Sequence, residues 1–195
     1  EDNFDSFQGD VESLVSDFEN KSRDSFTARE LMELFRYYST EIVLPGENRG
    51  PIYAKIVIEL GIQQFPYMPI FTLHMVEILM KEAKYKKAHK YIEQATAYTP
   101  FEPSLLMMKT ILFSHEGARK LAFESLNAAL EIAGNDDETL EDFLEMALYH
   151  EQYELTLPIV EKALNAGAEI STIIEKYIIR SDDGALVAEL IPTIE

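Results

Sequence analysis

The chain has 195 residues, of which 47% are hydrophobic and 27% are charged, and this composition is typical of a folded protein. It contains no cysteine, so disulfides, thiolate catalysis and cysteine-based zinc or iron–sulfur sites are excluded. The formal net charge of -18 disfavours nucleic acids and membranes as partners, because an acidic chain repels phosphate groups.

The first residues predict an N-terminal amphipathic helix. Apolar side chains recur three and four residues apart, with acids between them, at Phe4, Phe7, Val11, Leu14 and Phe18. No Lys or Arg precedes Lys21, which argues against binding to a membrane surface. We expect residues 1–26 to form a helix that caps the first hairpin.

Residues 27–69 predict a degenerate first hairpin. Thr27 and Glu30 have the spacing of a capping box ahead of an apolar run. The segment VLPGENRGP, with Asn48 and Arg49 at its tip, interrupts the hairpin. We interpret it as an elongated connection, and the alternative is a loop that makes functional contacts.

Small residues then recur with a period of 34. Ala88 and Ala122 are 34 residues apart, and the next step falls on Thr156 and the preceding one on Ala54. A second series has the same spacing, at Ala95, Ala129 and Ala163. A period between about 20 and 50 residues indicates stacked supersecondary units.

The apolar spacing predicts that each unit is a helical hairpin. The segments IFTLHMVEILM and LLMMKTILF are apolar on more than one side, which is typical of an inner helix buried on two faces. An amphipathic outer helix follows each inner helix after a short turn near Ala83, Gly117 or Glu151. Pro158 falls inside the third outer helix and should kink it.

This pattern resembles the tetratricopeptide repeat. In residues 70–103, the places of that family's Gly, Tyr, Ala, Ala and Pro hold Ala83, Tyr85, Ala88, Ala95 and Pro100. Residues 104–137 and 138–170 are two further units, although no unit has the family's Trp or its Leu-Gly pair. The resemblance implies an all-α fold, an α-α superhelix in which the hairpins form a right-handed solenoid and one structural domain.

Residues 171–195 predict a final hairpin with a turn at Asp182, Asp183 and Gly184. Its second helix has an apolar stripe that no following unit covers, at Leu186, Leu190, Ile191 and Ile194. Two explanations stay open. Either the natural chain continues with more repeats, or this end self-associates.

Motifs of catalysis are absent from the sequence. There is no P-loop, no G-x-S-x-G and no G-x-G-x-x-G, and His74, His89, His115 and His150 do not have zinc-site spacing. The acids of ETLEDFLEM lack an evident pKa-raising pocket, so an enzyme with an open acidic cleft is the least favoured reading. We expect no catalytic residue, cofactor or metal. With no signal peptide or membrane span visible, we expect a cytoplasmic protein.

The charge is uneven along the chain. Between Lys120 and Lys162 there is no Lys or Arg among many acids, whereas Lys81 to Lys90 holds five lysines and one glutamate. Both clusters are most simply solvated helix faces, and the basic stretch has the alternative of a local patch.

The resemblance also implies a concave groove lined by the inner helices, which would bind a protein or peptide segment. The family's groove-lining positions fall on Glu77, Lys81, Met107, Ile111, His115, Glu141, Glu145 and Tyr149. A groove that is apolar and acidic disfavours a carboxylate terminus and favours a basic or amphipathic segment. Ordinary packing is the alternative role for Met107 and Ile111.

The alternative function is a structural subunit that forms homo-oligomers through its C-terminal hairpin.

Overall fold

A computed structural model describes residues 2–20, 26–40 and 50–168 of the chain. Over these residues the protein is all-α, as predicted, with nine α-helices, one 3-10 turn and no strand. The helices are α1 Asp2–Asn20, α2 Ala28–Thr40, α3 Gly50–Gln64, α4 Pro69–Lys81, α5 Tyr85–Tyr98, α6 Pro103–His115, α7 Arg119–Ala133, α8 Asp137–Tyr149 and α9 Thr156–Ala166, and the 3-10 turn is Tyr153–Leu155. None of these helices is both long and apolar enough to cross a membrane.

The helices belong to two compact units. Unit 1 ends at Ala83 and contains α1 to α4, and unit 2 begins at Lys84 and contains α5 to α9. In unit 1, α1 packs on α2, α2 on α3, and α3 on α4. In unit 2 each helix packs on the next along the chain from α5 to α9, and α6 also packs directly on α8. The domain ranges expected from the sequence stay predictions.

The inner helices have bounds that repeat every 34 residues. They begin at Pro69, Pro103 and Asp137 and end at Lys81, His115 and Tyr149. Proline suits the first helical turn because the backbone N–H that it lacks would have no partner inside the helix there. In α8, which has no proline, the Asp136 carboxylate caps the helix by accepting the Thr139 N–H at 3.1 Å.

The turns after these helices confirm the three predicted positions. Ala83, Gly117 and Glu151 have φ angles of 54°, 71° and 57°, in the left-handed region. After α6, Gly117 N–H donates to the Ser114 carbonyl, and the next residue, Ala118, donates to the Phe113 carbonyl, both at 2.9 Å. These two bonds form a Schellman motif, which satisfies carbonyls at a helix end.

Glu151→Gly is expected to raise the free energy of unfolding by about 1 kcal/mol, because only glycine adopts a left-handed φ without steric cost. The reverse change at the equivalent turn, Gly117→Ala, is expected to lower it by about 1 kcal/mol. A Cβ at Gly117 would meet no atom within 4 Å, so its effect comes from the backbone alone. Urea denaturation followed by circular dichroism measures the free energy of unfolding of both variants. Equal stabilities of Glu151→Gly and wild type would contradict the assignment of strain to this turn.

The repeated small residues lie at helix contacts, as predicted. Ala88, Ala122 and Ala129 have no exposed surface, Thr156 is 2% exposed, and Ala163 has none. Thr156 keeps its hydroxyl satisfied by donating to the Tyr153 carbonyl at 2.7 Å. The alanines therefore permit close approach of neighbouring helices, and larger side chains would overpack these contacts.

The prediction that Pro158 kinks a continuous helix is wrong. The chain forms the short 3-10 turn first, and α9 begins only at Thr156. Pro158 therefore lies in the first turn of α9, where its missing N–H breaks no bond within the helix. Helices α5 and α7 begin 34 residues apart, at Tyr85 and Arg119, and the next step of 34 falls on Tyr153. Helix α9 begins three residues after that position.

The N-terminal helix packs on α2, and the predicted capping box is present. The Glu30 carboxylate accepts the Thr27 N–H at 2.7 Å, and Thr27 Oγ1 accepts the Glu30 N–H at 3.2 Å. The hydrogen bonds from the Thr27 N–H and hydroxyl hold the pKa of Glu30 below its usual value. The predicted connection VLPGENRGP, except for its last two residues, and the C-terminal hairpin lie outside the described residues.

Candidate functional site

The inner helices α6 and α8 of unit 2 lie side by side, and they contain six of the eight predicted groove residues. Met107 and Ile111 have no exposed surface. They pack inside unit 2, which is the alternative role considered for them, because α6 is covered by α5, α7 and α8. Four predicted residues remain at the surface of this pair, namely His115, Glu141, Glu145 and Tyr149.

One line of α8 presents two acids and an aromatic ring. Glu141, Glu145 and Tyr149 are spaced four residues apart, so they follow one another on successive turns. Both glutamates are partly exposed, and Tyr149 is 58% exposed. This line can contact a partner through carboxylates at one end and through an apolar ring at the other.

The acids of α8 repel one another. Burial, and then the charges of Glu138, Glu145 and Asp136, raise the pKa of Asp142 above its usual value. After burial, the charges of these three neighbouring carboxylates contribute to the shift, and it is their negative charge that would attract a cation.

A polar cluster joins the end of α6 to the turn after α8. Ser114 Oγ donates to the Gln152 side-chain oxygen, and Gln152 Nε2 lies 3.4 Å from His115 Nε2. The His115 ring lies 6.1 Å from the ring of His150, measured between centroids. Burial lowers the pKa of His115 more than the charge of Glu151 raises it, which favours the neutral imidazole.

An ion pair connects the beginning of α7 to the same cluster. Arg119 Nε lies 3.2 Å from Glu154 Oε2, and Ser114 Oγ lies 3.4 Å from the other oxygen of Glu154. Gln152 and Glu154 were missed by sequence reasoning. Both contact Ser114 of α6, which lies 38 residues before Gln152 and 40 before Glu154, so no local motif relates them.

The two other predicted groove residues belong to unit 1. Glu77 Oε2 lies 3.2 Å from His74 Nδ1, and the His74 ring lies 4.5 Å from the Phe35 ring. Lys81 is exposed in the last turn of α4. Unit 1 also has a cleft of about 440 Å³ between α1 and α2, lined by Val11, Ser13, Leu14, Asp17, Arg29, Glu30 and Glu33.

Within the described parts of the chain, no group of three or more His, Asp or Glu side chains is placed to hold a metal ion. No family model matches this sequence, and no curated protein matches it.

Proposed function

We propose that the hairpins stack as a right-handed α-α superhelix of the tetratricopeptide type and that the protein is a non-catalytic interaction scaffold. The support is the 34-residue recurrence of helix bounds, turns and buried small residues. The direct packing of α6 on α8 agrees with it, because stacked hairpins bring successive inner helices together.

The proposed ligand is a basic or amphipathic protein segment, bound along α8 beside α6. The observation that carries this proposal is the line of α8 formed by the partly exposed Glu141 and Glu145 and the exposed Tyr149. No Lys or Arg stands between Lys120 and Lys162 to compensate these acids along the sequence. Cations of a partner would pair with the glutamates, and an Arg would also stack on the Tyr149 ring.

Glu141→Lys combined with Glu145→Lys is expected to weaken capture of the partner by at least about tenfold, because each like-charge contact costs binding free energy. Added salt should weaken the wild-type complex in the same direction. The measurement is a pull-down from extract with the partner identified by mass spectrometry, followed by titration of that purified partner.

The matched control is Glu131→Lys combined with Glu161→Lys. It changes the net charge by the same amount, and both glutamates are exposed on the outer helices α7 and α9. Affinity of this control should stay within about threefold of wild type. If both pairs of substitutions weaken capture equally, only overall charge matters and the α8 site is wrong.

The proposal uses no catalytic residue, cofactor or metal, and its partner is a protein or peptide in the cytoplasm. The alternative, homo-oligomer formation through Leu186, Leu190, Ile191 and Ile194, concerns residues outside those that the structure describes, and it stays a prediction.

A further inference from the structure

A second surface of unit 2 has the opposite charge. Lys86, Lys87 and Lys90 are exposed in the first two turns of α5, and Arg119 and Lys120 are exposed in the first turn of α7. We call these five side chains the basic rim. Lys86 and Lys120 are 34 residues apart and occupy equivalent positions in the two outer helices.

The basic rim belongs to one end of unit 2. His89 of α5 lies 2.6 Å from Glu116, which directly follows α6. Helix α7 begins at Arg119, three residues after Glu116. The beginnings of α5 and α7 therefore flank the same end of α6, which places the five cations on two helices that both pack against α6.

These cations lie at the beginnings of the two helices, where positive charge does not stabilise a helix. The first turn of a helix carries partial positive charge, so acids are favourable there and bases are not. Neither α5 nor α7 has an acid in its first turn or a base in its last turn. Their distribution is the reverse of what helix stability favours, which points to a role in binding.

The ion pairs of the basic rim leave its charge accessible. Arg119 pairs with Glu154 at 3.2 Å and Lys120 with Glu124 at 3.7 Å, but their side chains remain 72% and 89% exposed. Such exposed pairs are weak and exchange readily for other partners. Next to Lys120, Leu121 is 46% exposed and gives the rim an apolar contact.

We propose that the basic rim is a docking surface for an acidic protein segment that carries an apolar side chain between its carboxylates. The carboxylates would pair with the five cations, and the apolar side chain would pack on Leu121. A protein segment fits better than a nucleic acid, because a chain of net charge -18 repels a long uniform polyanion beyond the rim. The rim consists of side chains of α5 and α7, whereas the line proposed above lies on α8, so different substitutions test the two proposals and the failure of one leaves the other open to its own test.

The test uses the full chain and a fluorescein-labelled peptide of glutamates with two internal leucines, titrated by fluorescence anisotropy at low ionic strength. Lys86→Glu combined with Lys87→Glu is expected to weaken binding by at least about tenfold. Exchanging the leucines of the peptide for serine should weaken binding by roughly threefold or more, since the contact with Leu121 is lost. Circular dichroism checks the fold, and Lys86→Gln with Lys87→Gln gives a milder pair with the same expected direction.

The matched control is Arg29→Glu combined with Arg36→Glu, two exposed arginines of α2 in unit 1. This pair changes the net charge equally and should weaken binding by less than about threefold. The proposal would be overturned if both pairs of substitutions weakened peptide binding equally or if the lysine pair did not weaken it. It would also be overturned if the wild-type protein did not bind the peptide. Tighter binding of a duplex DNA probe than of the peptide would also overturn it, as would lysine-dependent self-association that excludes the peptide.

Discussion

Phe18→Ala is expected to lower the free energy of unfolding of unit 1 by about 3–5 kcal/mol, the usual cost of removing a fully buried aromatic side chain. Phe18 lies near the end of α1 and has no exposed surface. Its ring centroid lies 5.6 Å from that of Phe26, 6.0 Å from that of Tyr38 and 6.3 Å from that of Tyr53. The ring thus joins α1 to both α2 and α3, and its loss would leave a cavity.

Urea denaturation followed by far-ultraviolet circular dichroism measures this change. Phe101→Ala is the matched control, because Phe101 is 79% exposed and its loss should change stability by less than about 0.5 kcal/mol. If Phe18→Ala has as small an effect as the control, α1 contributes little to unit 1. The interpretation of α1 as a cap on the first hairpin would then be wrong.

Gly61→Ala is expected to lower the free energy of unfolding by about 1–3 kcal/mol through overpacking. A Cβ at Gly61 would lie 2.3 Å from Phe71 Cδ1, and Phe71 is fully buried in α4. Helix propensity favours alanine over glycine by about 1 kcal/mol, so propensity alone predicts stabilisation. We expect the clash to outweigh it, because the ring has no exposed surface into which it can move.

A double-mutant cycle with Phe71→Leu tests the cause. If the ring is the obstacle, the double variant should be more stable than the sum of the single effects by about 1–2 kcal/mol. Additive effects would show that Gly61 is required for another reason, and a stabilising Gly61→Ala would show that α3 and α4 separate easily.

Local chemistry made much of the fold predictable. The three turns, the capping box and the buried alanines follow from spacing and residue type, because helix ends and close helix contacts each need particular residues. Gly61 could have been found in the same way, since it stands 34 residues before Ala95 and is the first member of that series. The 34-residue spacing was present in the sequence, but a glycine in a helical pattern is usually interpreted only as a residue that weakens the helix.

The candidate site was less predictable from its residues. Met107 and Ile111 occupy register positions that the resemblance assigns to a groove, but the packing of three helices around α6 buries them. The contact of Gln152 with Ser114 joins residues 38 positions apart. Exposure and long-range pairs depend on which helices become neighbours, and no single repeat contains that information.

The all-helical character, the 34-residue unit, its turns and its small contact residues follow from the order of the residues alone, because backbone conformation and capping are local properties. The separation of acidic from basic stretches is visible there too. The packing of the folded chain was needed to show that Phe71 occupies the space left by Gly61, that Pro158 lies in the first turn of α9 instead of kinking a helix, and which acids and cations remain exposed. Those outcomes depend on close packing between segments distant in the chain, where shape and volume outweigh local preference.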